Sequence, residues 1–314
     1  MNETPRHRPV MLAEALEALA LVPGARVVDG TLGEAGYSEA ILDATAPDGK
    51  LLAIDWDDEA ITLSRPRLQR FGDRVEIVRG SFADTAQILS DAGWSDGADG
   101  IVVDLGVSTR HLVAAERGFS FRTDGPLDMR MDRRGDTTAA DLVANLEQDE
   151  LADLIWRYGE ERHSRRIARA IIVRRKEHPL LTTSDLREAV RSAGVRGRPG
   201  HDPATRTFQA LRIAVNGELE ALESLLNEGW KLLVPGGRLV IVSYHSLEDR
   251  LVKSAMRLWA SDCLCPPRQP LCNCGWSAKV TLPWRRKRAP TPEEVQANPR
   301  ARSAGVRVAQ RLMN

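Results

Sequence analysis

The stretch VVDGTLGEAGY, residues 27–37, decides the fold: an apolar pair runs into Asp29, and glycines at 30, 33 and 36 space a turn that opens a helix. That pattern reads as the first strand and turn of a nucleotide-cofactor βαβ unit. Its spacing is GxxGxxG, which departs from the GxGxxG of dinucleotide binders. Charge separates the candidate ligands further. Asp29 ends the strand and Glu34 lies inside the loop, where a pyrophosphate seated on the helix N-terminus would be repelled. S-adenosyl-L-methionine, which has no phosphate and carries an ammonium and a sulfonium, suits an acidic loop better. Gly33 and Gly36 are then the loop's cofactor candidates. Standing alone, the glycines are equally well read as a plain tight turn.

The acids that follow argue against that plainer reading. KLLAID (50–55) is an apolar run ending in Asp55, 26 residues after Asp29, and reads as a second strand. VEIVRGSF (75–82) reads as a third, with Phe82 beyond its end, and GIVVDLGVS (100–108) as a fourth, with Asp104 at its tip. Ligands of open α/β sheets sit outside the carboxyl ends of the strands, so Asp29, Asp55, Phe82 and Asp104 are expected to converge on one crevice. There Asp55 would accept both ribose hydroxyls and Phe82 would lie near the adenine. The alternative is that these acids merely cap turns.

From about 110 to 214 the character changes to helical patterns: AADLVANLEQDELADLIWRYGEE (139–161), ERHSRRIARAIIVRRKEH (161–178), and SDLREAVRSAG (184–194) with Thr183 or Ser184 placed to cap. A loop dense in Gly, Pro and Arg (196–207) closes this region. FQALRIAVNGELEALESLLNEGWKLL (208–233) resumes helix, which Pro235 and Gly236 are expected to stop before an apolar strand ending near Tyr244 and His245. The expected architecture is α/β, a mostly parallel Rossmann-like sheet from residues 1–109 and 215–314, with an all-helical domain inserted at 110–214.

A formal net charge of zero conceals a division along the chain. Residues 1–100 hold 18 acidic and 9 basic side chains, whereas residues 279–314 hold 9 basic ones against Glu293 and Glu294. A second basic run places Arg162, Arg165, Arg166 and Arg169 at near-helical spacing opposite Ile167, Ala170 and Ile171. Such runs are either solvated faces or contacts to a phosphate backbone. No apolar run approaches the ~20 residues that span a bilayer, and the N-terminus is too polar for a signal peptide, so a cytoplasmic protein with no membrane partner is expected. No heptad or edge-strand signal decides the oligomeric state, and a homodimer is compatible with the sequence.

Five blocks, GFSFRTDGPLDMRMD (118–132), YGEERHSRRIARAI (158–171), PATRTFQALRIAVNGELE (203–220), VSYHSLEDRLVK (242–253) and NPRARSAGVR (298–307), resemble the signatures of the MraW (RsmH) family of bacterial 16S ribosomal RNA cytosine N4-methyltransferases. The resemblance runs from His7 to Val308. It implies a class I S-adenosylmethionine-dependent methyltransferase whose inserted helical domain recognises substrate. The implied reaction is methylation of the exocyclic N4 amine of a decoding-centre cytidine of 16S rRNA within the small ribosomal subunit. The family's cofactor residues fall on Ala35, Gly36, Tyr37, Asp55, Phe82, Asp104 and His111. Two sites depart from the family: Ala35-Gly36-Tyr37 stands where GlyGlyHis is usual, and Tyr244 stands where phenylalanine is usual, adding a hydroxyl that needs a partner.

The implied chemistry asks for acceptors near the amine and a modest base, for which Asp104 is the candidate catalytic residue. DLGVS offers no aromatic to stack the base, so Phe119, Phe121, Trp156, Tyr158 and Tyr244 are candidates for stacking or for ordinary core. Asp128, Arg130 and Asp132 line a cytidine pocket or form a structural ion-pair network. Arg206 and His245 complete the candidate substrate contacts. Cys263, Cys265, Cys272 and Cys274 make a CxC, six-residue spacer, CxC cluster that could hold zinc, although the spacing is tighter than the usual knuckle and the resemblance requires no metal. Other readings are a methyltransferase acting on protein or a small molecule, a ribosome assembly factor that holds S-adenosylmethionine without turnover, and a nicotinamide dehydrogenase.

Overall fold

The computed structural model describes residues 9–196, 202–266, 268–269 and 271–313. His7, where the family resemblance begins, and residues 197–201 of the Gly/Pro/Arg-rich loop lie outside them.

Strands β1 (Arg26–Asp29), β2 (Lys50–Asp55), β3 (Val75–Arg79), β4 (Ala98–Asp104), β5 (Leu233–Ser243), β6 (Val280–Thr281) and β7 (Gly305–Arg311) form one seven-stranded sheet in the order β3-β2-β1-β4-β5-β7-β6. β1 to β5 are mutually parallel, while β7 runs antiparallel to β5 and β6 antiparallel to β7. Side chains alternate across the sheet. Val27, Leu51, Ala53, Val102, Val240 and Val242 enter one core cluster, and Val28, Leu52, Ile54, Ile101, Val103, Leu239 and Ile241 enter the other. Burial on both faces accounts for the near-continuous apolar runs read from the sequence. This is the mostly parallel sheet that the resemblance implies. The chain winds outward from β1 to β3, then returns to place β4 on the other side of β1, so the ligand crevice of such a sheet lies at the tips of β1 and β4.

Local chemistry moves several expected boundaries. The helix expected over 208–233 is two, Thr205–Asn216 and Glu218–Glu228, because Gly217 takes a left-handed cap (φ 57°). Pro235 and Gly236 do not stop it; they lie inside β5, where the register slips so that Ala98 faces Leu233 but Gly100 faces Arg238, and such an irregularity tolerates proline. The stretch 139–161 also divides, into Ala139–Asn145 and Gln148–Gly159, where the Glu147 N–H donates to the Glu150 carboxylate at 2.9 Å. Helix Thr183–Ser192 is capped by Thr182, one residue before the expected position, with the Asp185 N–H donating to Thr182 Oγ1 at 3.2 Å.

By internal contacts the chain divides into one unit of Met1–Gly106 with Leu219–Asn314, which carries the sheet, and a helical unit of Val107–Glu218. Among the described residues no helix is long and apolar enough to cross a membrane.

Candidate active site

At the tip of β1, Asp29 is fully buried. Its Oδ1 accepts the Thr31 N–H at 3.1 Å and its Oδ2 accepts the Ser38 hydroxyl at 2.7 Å. Burial pushes the carboxyl up to about 6 against those hydrogen bonds. Asp29 thus fastens the glycine loop to helix Gly36–Ala44 and presents nothing to a ligand, which corrects its expected place in an open acidic mouth. Ala35 precedes that helix in a left-handed conformation (φ 63°), buried, where an L side chain is strained. Gly36 lies so close to Pro9 that an added Cβ would stand 2.2 Å from its Cγ. The Tyr37 ring is buried and its hydroxyl donates to the Val10 carbonyl, so its side chain is committed to the core. Behind the loop, Arg67 donates to the Glu34 carbonyl and pairs with Glu39.

Asp55, at the tip of β2, is partly exposed. Its Oδ2 accepts the Gly33 N–H at 2.8 Å and its Oδ1 the Asp57 N–H at 2.9 Å. Each carboxylate oxygen carries a second lone pair, so the acid can brace the loop and still accept ribose hydroxyls. Phe82 is buried in the cluster containing Val28, Ile54, Val103 and Leu105. Partly exposed Trp56 stands over it, with ring centroids 6.4 Å apart and planes at 48°. The sequence reading missed Trp56, although an aromatic directly after a ribose-type acid is a usable signal.

The tip of β4 carries a buried carboxyl with a hydroxyl partner. The Asp104 N–H donates to Thr31 Oγ1 at 2.7 Å, and Asp104 Oδ1 accepts the Tyr244 hydroxyl at 2.8 Å. Burial pushes the Asp104 carboxyl up to about 8; the Tyr244 bond opposes this, and the charges of Asp29 and Glu248 reinforce it. Burial, with Asp104 adjacent, also raises the Tyr244 phenol well above its usual value. His245 caps the helix that follows it. Its Nδ1 accepts the Glu248 N–H at 3.4 Å while Glu248 Oε2 accepts the N–H groups of Tyr244 and His245 at 2.7 and 3.1 Å, a reciprocal cap on helix Ser246–Trp259.

In the helical unit, His111 is buried, stacked on Phe119 at 4.7 Å, and its Nδ1 accepts the Ser108 N–H at 3.3 Å. That is a capping and packing role. Asp128 holds Arg130 through two bonds of 2.8 Å, and Asp132 holds Arg134 with a shortest bond of 2.6 Å, so LDMRMD is an ion-pair network. Asn216 clamps it by accepting the Met131 N–H at 2.7 Å and donating to the Met129 carbonyl at 2.8 Å. Arg206 donates to the Glu160 carbonyl at 2.7 Å and so ties two helices together. Phe121 packs edge-on against Phe208. Trp156 differs from these aromatics, being 54% exposed.

The basic segments are partly structural. Arg174 pairs with Glu188, and Arg175 donates to the carbonyls of Val143 and Leu146, whereas Arg162, Arg165, Arg166 and Arg169 are exposed with no ion pair among the described residues. Near the C-terminus Arg307 grips Asp249, Arg288 pairs with Glu17 and Arg311 donates to the Leu233 carbonyl. The four cysteines lie on the segment between helix Ser246–Trp259 and β6, with their sulfurs gathered together.

A model of the MraW methylase family matches residues 4–312. The chain belongs to the MraW methylase family. A relative from Syntrophobacter fumaroxidans is 50% identical over 307 residues, covering 97% of this chain and 96% of that protein. One from Geobacter sulfurreducens is 49% identical over 308 residues, covering 98% and 99%. A third, from Heliobacterium mobile, is 45% identical over 309 residues, covering 98% and 99%. All three are named ribosomal RNA small subunit methyltransferase H. This MraW methylase is therefore an enzyme on a methyltransferase fold. Tyr37 fills the core and anchors Val10, and the Tyr244 hydroxyl finds Asp104.

Proposed function

We propose that this chain transfers the methyl group of S-adenosyl-L-methionine to the N4 amine of a decoding-centre cytidine of 16S rRNA in the small ribosomal subunit, with Asp104 as proton acceptor. The names of the relatives support the substrate class. The donor set supports the cofactor: Asp55 ends β2 partly exposed, and residues 27–37 contain no Lys or Arg. In this reading Asp55 holds the ribose, Phe82 and Trp56 flank the adenine, and the backbone N–H groups at the start of helix Gly36–Ala44 receive the methionine carboxylate. When bound, S-adenosylmethionine supplies a sulfonium methyl that an amine lone pair can attack.

The remaining chemistry belongs to the chain. The cytosine amine is delocalised into the ring, and acceptors directed at its hydrogens favour the localised, nucleophilic form. On methylation the nitrogen becomes strongly acidic. Asp104 Oδ2, the oxygen not engaged by Tyr244, takes its proton and passes it to water. Exposed Trp156 serves as a stacking surface for an unpaired base, and the four unpaired arginines meet phosphates.

The observation that carries this reading is Asp104, poised at about 8 and fixed from two sides by Thr31 and Tyr244. Labelled methyl transfer to small subunits lacking the modification tests it. Asp104→Asn is expected to lower the rate about 10²-fold or more while leaving S-adenosylmethionine affinity within a few-fold. A wild-type rate from that variant overturns the assignment. Label appearing in protein or free nucleoside identifies another acceptor, and cofactor binding without turnover identifies an assembly factor.

A further inference from the structure

Helix Ser246–Trp259 leaves the core at Ala260, and the chain returns at Lys279, whose N–H donates to the Trp259 carbonyl at 2.7 Å. The Trp276 indole N–H donates to the Ser261 carbonyl at 2.9 Å and closes the base of the intervening loop. Among its described residues the loop beyond that base buries little apolar surface: Leu271 is 81% and Leu264 42% exposed. A segment with so little apolar burial needs another source of order, and in small structures that source is a cross-link or a metal.

The cysteines supply the geometry. All four sulfurs lie within 4.8 Å of one another. Cys263 Sγ is 3.4 Å from Cys272 Sγ and 3.8 Å from Cys274 Sγ, Cys265 is 3.9 Å from Cys272, and Cys272 is 3.6 Å from Cys274. Zinc–thiolate bonds of about 2.3 Å in a tetrahedron place the sulfurs about 3.8 Å apart. A disulfide would bring a pair to about 2.05 Å. A polynuclear iron–sulfur cluster needs its four sulfurs spread around a much larger body. The contacts also run between the two CxC arms, so each arm spans one edge of the tetrahedron and the tight spacing is no obstacle. The Leu264 N–H points to Cys274 Sγ at 3.4 Å and the Cys265 N–H to Cys263 Sγ at 3.3 Å, donors that favour thiolate over thiol.

We propose that Cys263, Cys265, Cys272 and Cys274 form a structural zinc site. Four thiols give up their protons to solvent as one Zn²⁺ enters, with no change of oxidation state. All four positions are filled by protein, so the ion holds the loop and takes no part in methyl transfer.

The test uses the full-length chain, purified in reductant without metal-affinity chromatography. Elemental analysis is expected to find one zinc per chain, retained on dialysis. Exchange with Co²⁺ is expected to give the intense thiolate-to-cobalt absorption of a tetrahedral four-sulfur site. Chelation should speed proteolytic cleavage between residues 260 and 279, and Cys272→Ser with Cys274→Ser should abolish metal uptake while leaving S-adenosylmethionine affinity unchanged. If the double variant fails to fold, the wild-type metal content decides. A reduced chain that takes up neither zinc nor cobalt overturns the proposal, as does a native mass lower by four hydrogens, which reports two disulfides, or iron in place of zinc.

Discussion

The Tyr244 hydroxyl reaches Asp104, the carboxyl proposed as proton acceptor. A hydrogen bond to a charged group contributes about 1.5–3 kcal/mol, or about one to two pKa units. Because the Tyr244 hydroxyl favours ionised Asp104, its removal moves the carboxyl above its present value of about 8. The base form rises with pH through that value, so Tyr244→Phe is expected to shift the rising limb of the pH–rate profile upward by about one unit. The rate at neutral pH falls about tenfold and recovers in alkali. A cation bound nearby lowers both midpoints without closing the gap between them. A merely structural role for the hydroxyl would depress the rate equally at every pH, so the shape of the profile decides. Stability moves in the opposite sense. A carboxyl raised from 3.8 to about 8 on folding stabilises the fold fully below 3.8, and that contribution is lost as pH climbs to about 8.

At the scale of elements, the helix that opens the cofactor loop is held from outside by Pro9. A methyl on Gly36 would stand 2.2 Å from Pro9 Cγ and 2.9 Å from its Cδ, too close for any side chain to absorb. Gly36→Ala is therefore expected to cost about 1–3 kcal/mol in thermal or urea unfolding and to weaken S-adenosylmethionine binding by calorimetry, since the same loop carries Gly33, whose N–H donates to Asp55. Unchanged stability would mean that the Pro9 segment simply moves away. The first four strands were legible because each is an apolar run closed by a polar tip, and β2 was placed to the residue. The antiparallel β7 was not, because Arg307 and Arg311 interrupt its pattern and its partner, β5, lies some sixty residues earlier. Asp29 was legible as a strand end but not as a loop anchor, since its partner Ser38 sits on the next helix. The alternation of LDMRMD fitted a pocket or a network equally, and the pairing of Asp128 with Arg130 and of Asp132 with Arg134 depends on side-chain positions that spacing does not give. Cysteine spacing gave the residues of the cluster but could not give the distances between sulfurs.

At the scale of the molecule, 44 basic and 44 acidic side chains cancel in sum but not in place. The acids that end β1, β2 and β4 belong to the unit carrying the sheet, while Arg162, Arg165, Arg166 and Arg169 belong to the helical unit. If those arginines meet RNA phosphates, each contact contributes about 0.7–0.9 to the slope of log affinity against log salt. Removing Arg165 and Arg169 together, as alanines, is expected to lower the slope for small-subunit binding by about 1.5 and to weaken binding most at low salt. Cofactor affinity should stay constant, because the residues assigned to it in the sheet are untouched. Arg175 is the control on the same helix: it donates to the carbonyls of Val143 and Leu146 at 2.7 Å, so Arg175→Ala should lower the melting temperature and leave the slope alone. Slopes unchanged in the double variant, measured by filter binding from 50 to 200 mM salt, would make that arginine face ordinary solvated surface and leave the polyanion contacts to Arg285, Arg286 and Arg302, which are exposed near the C-terminus.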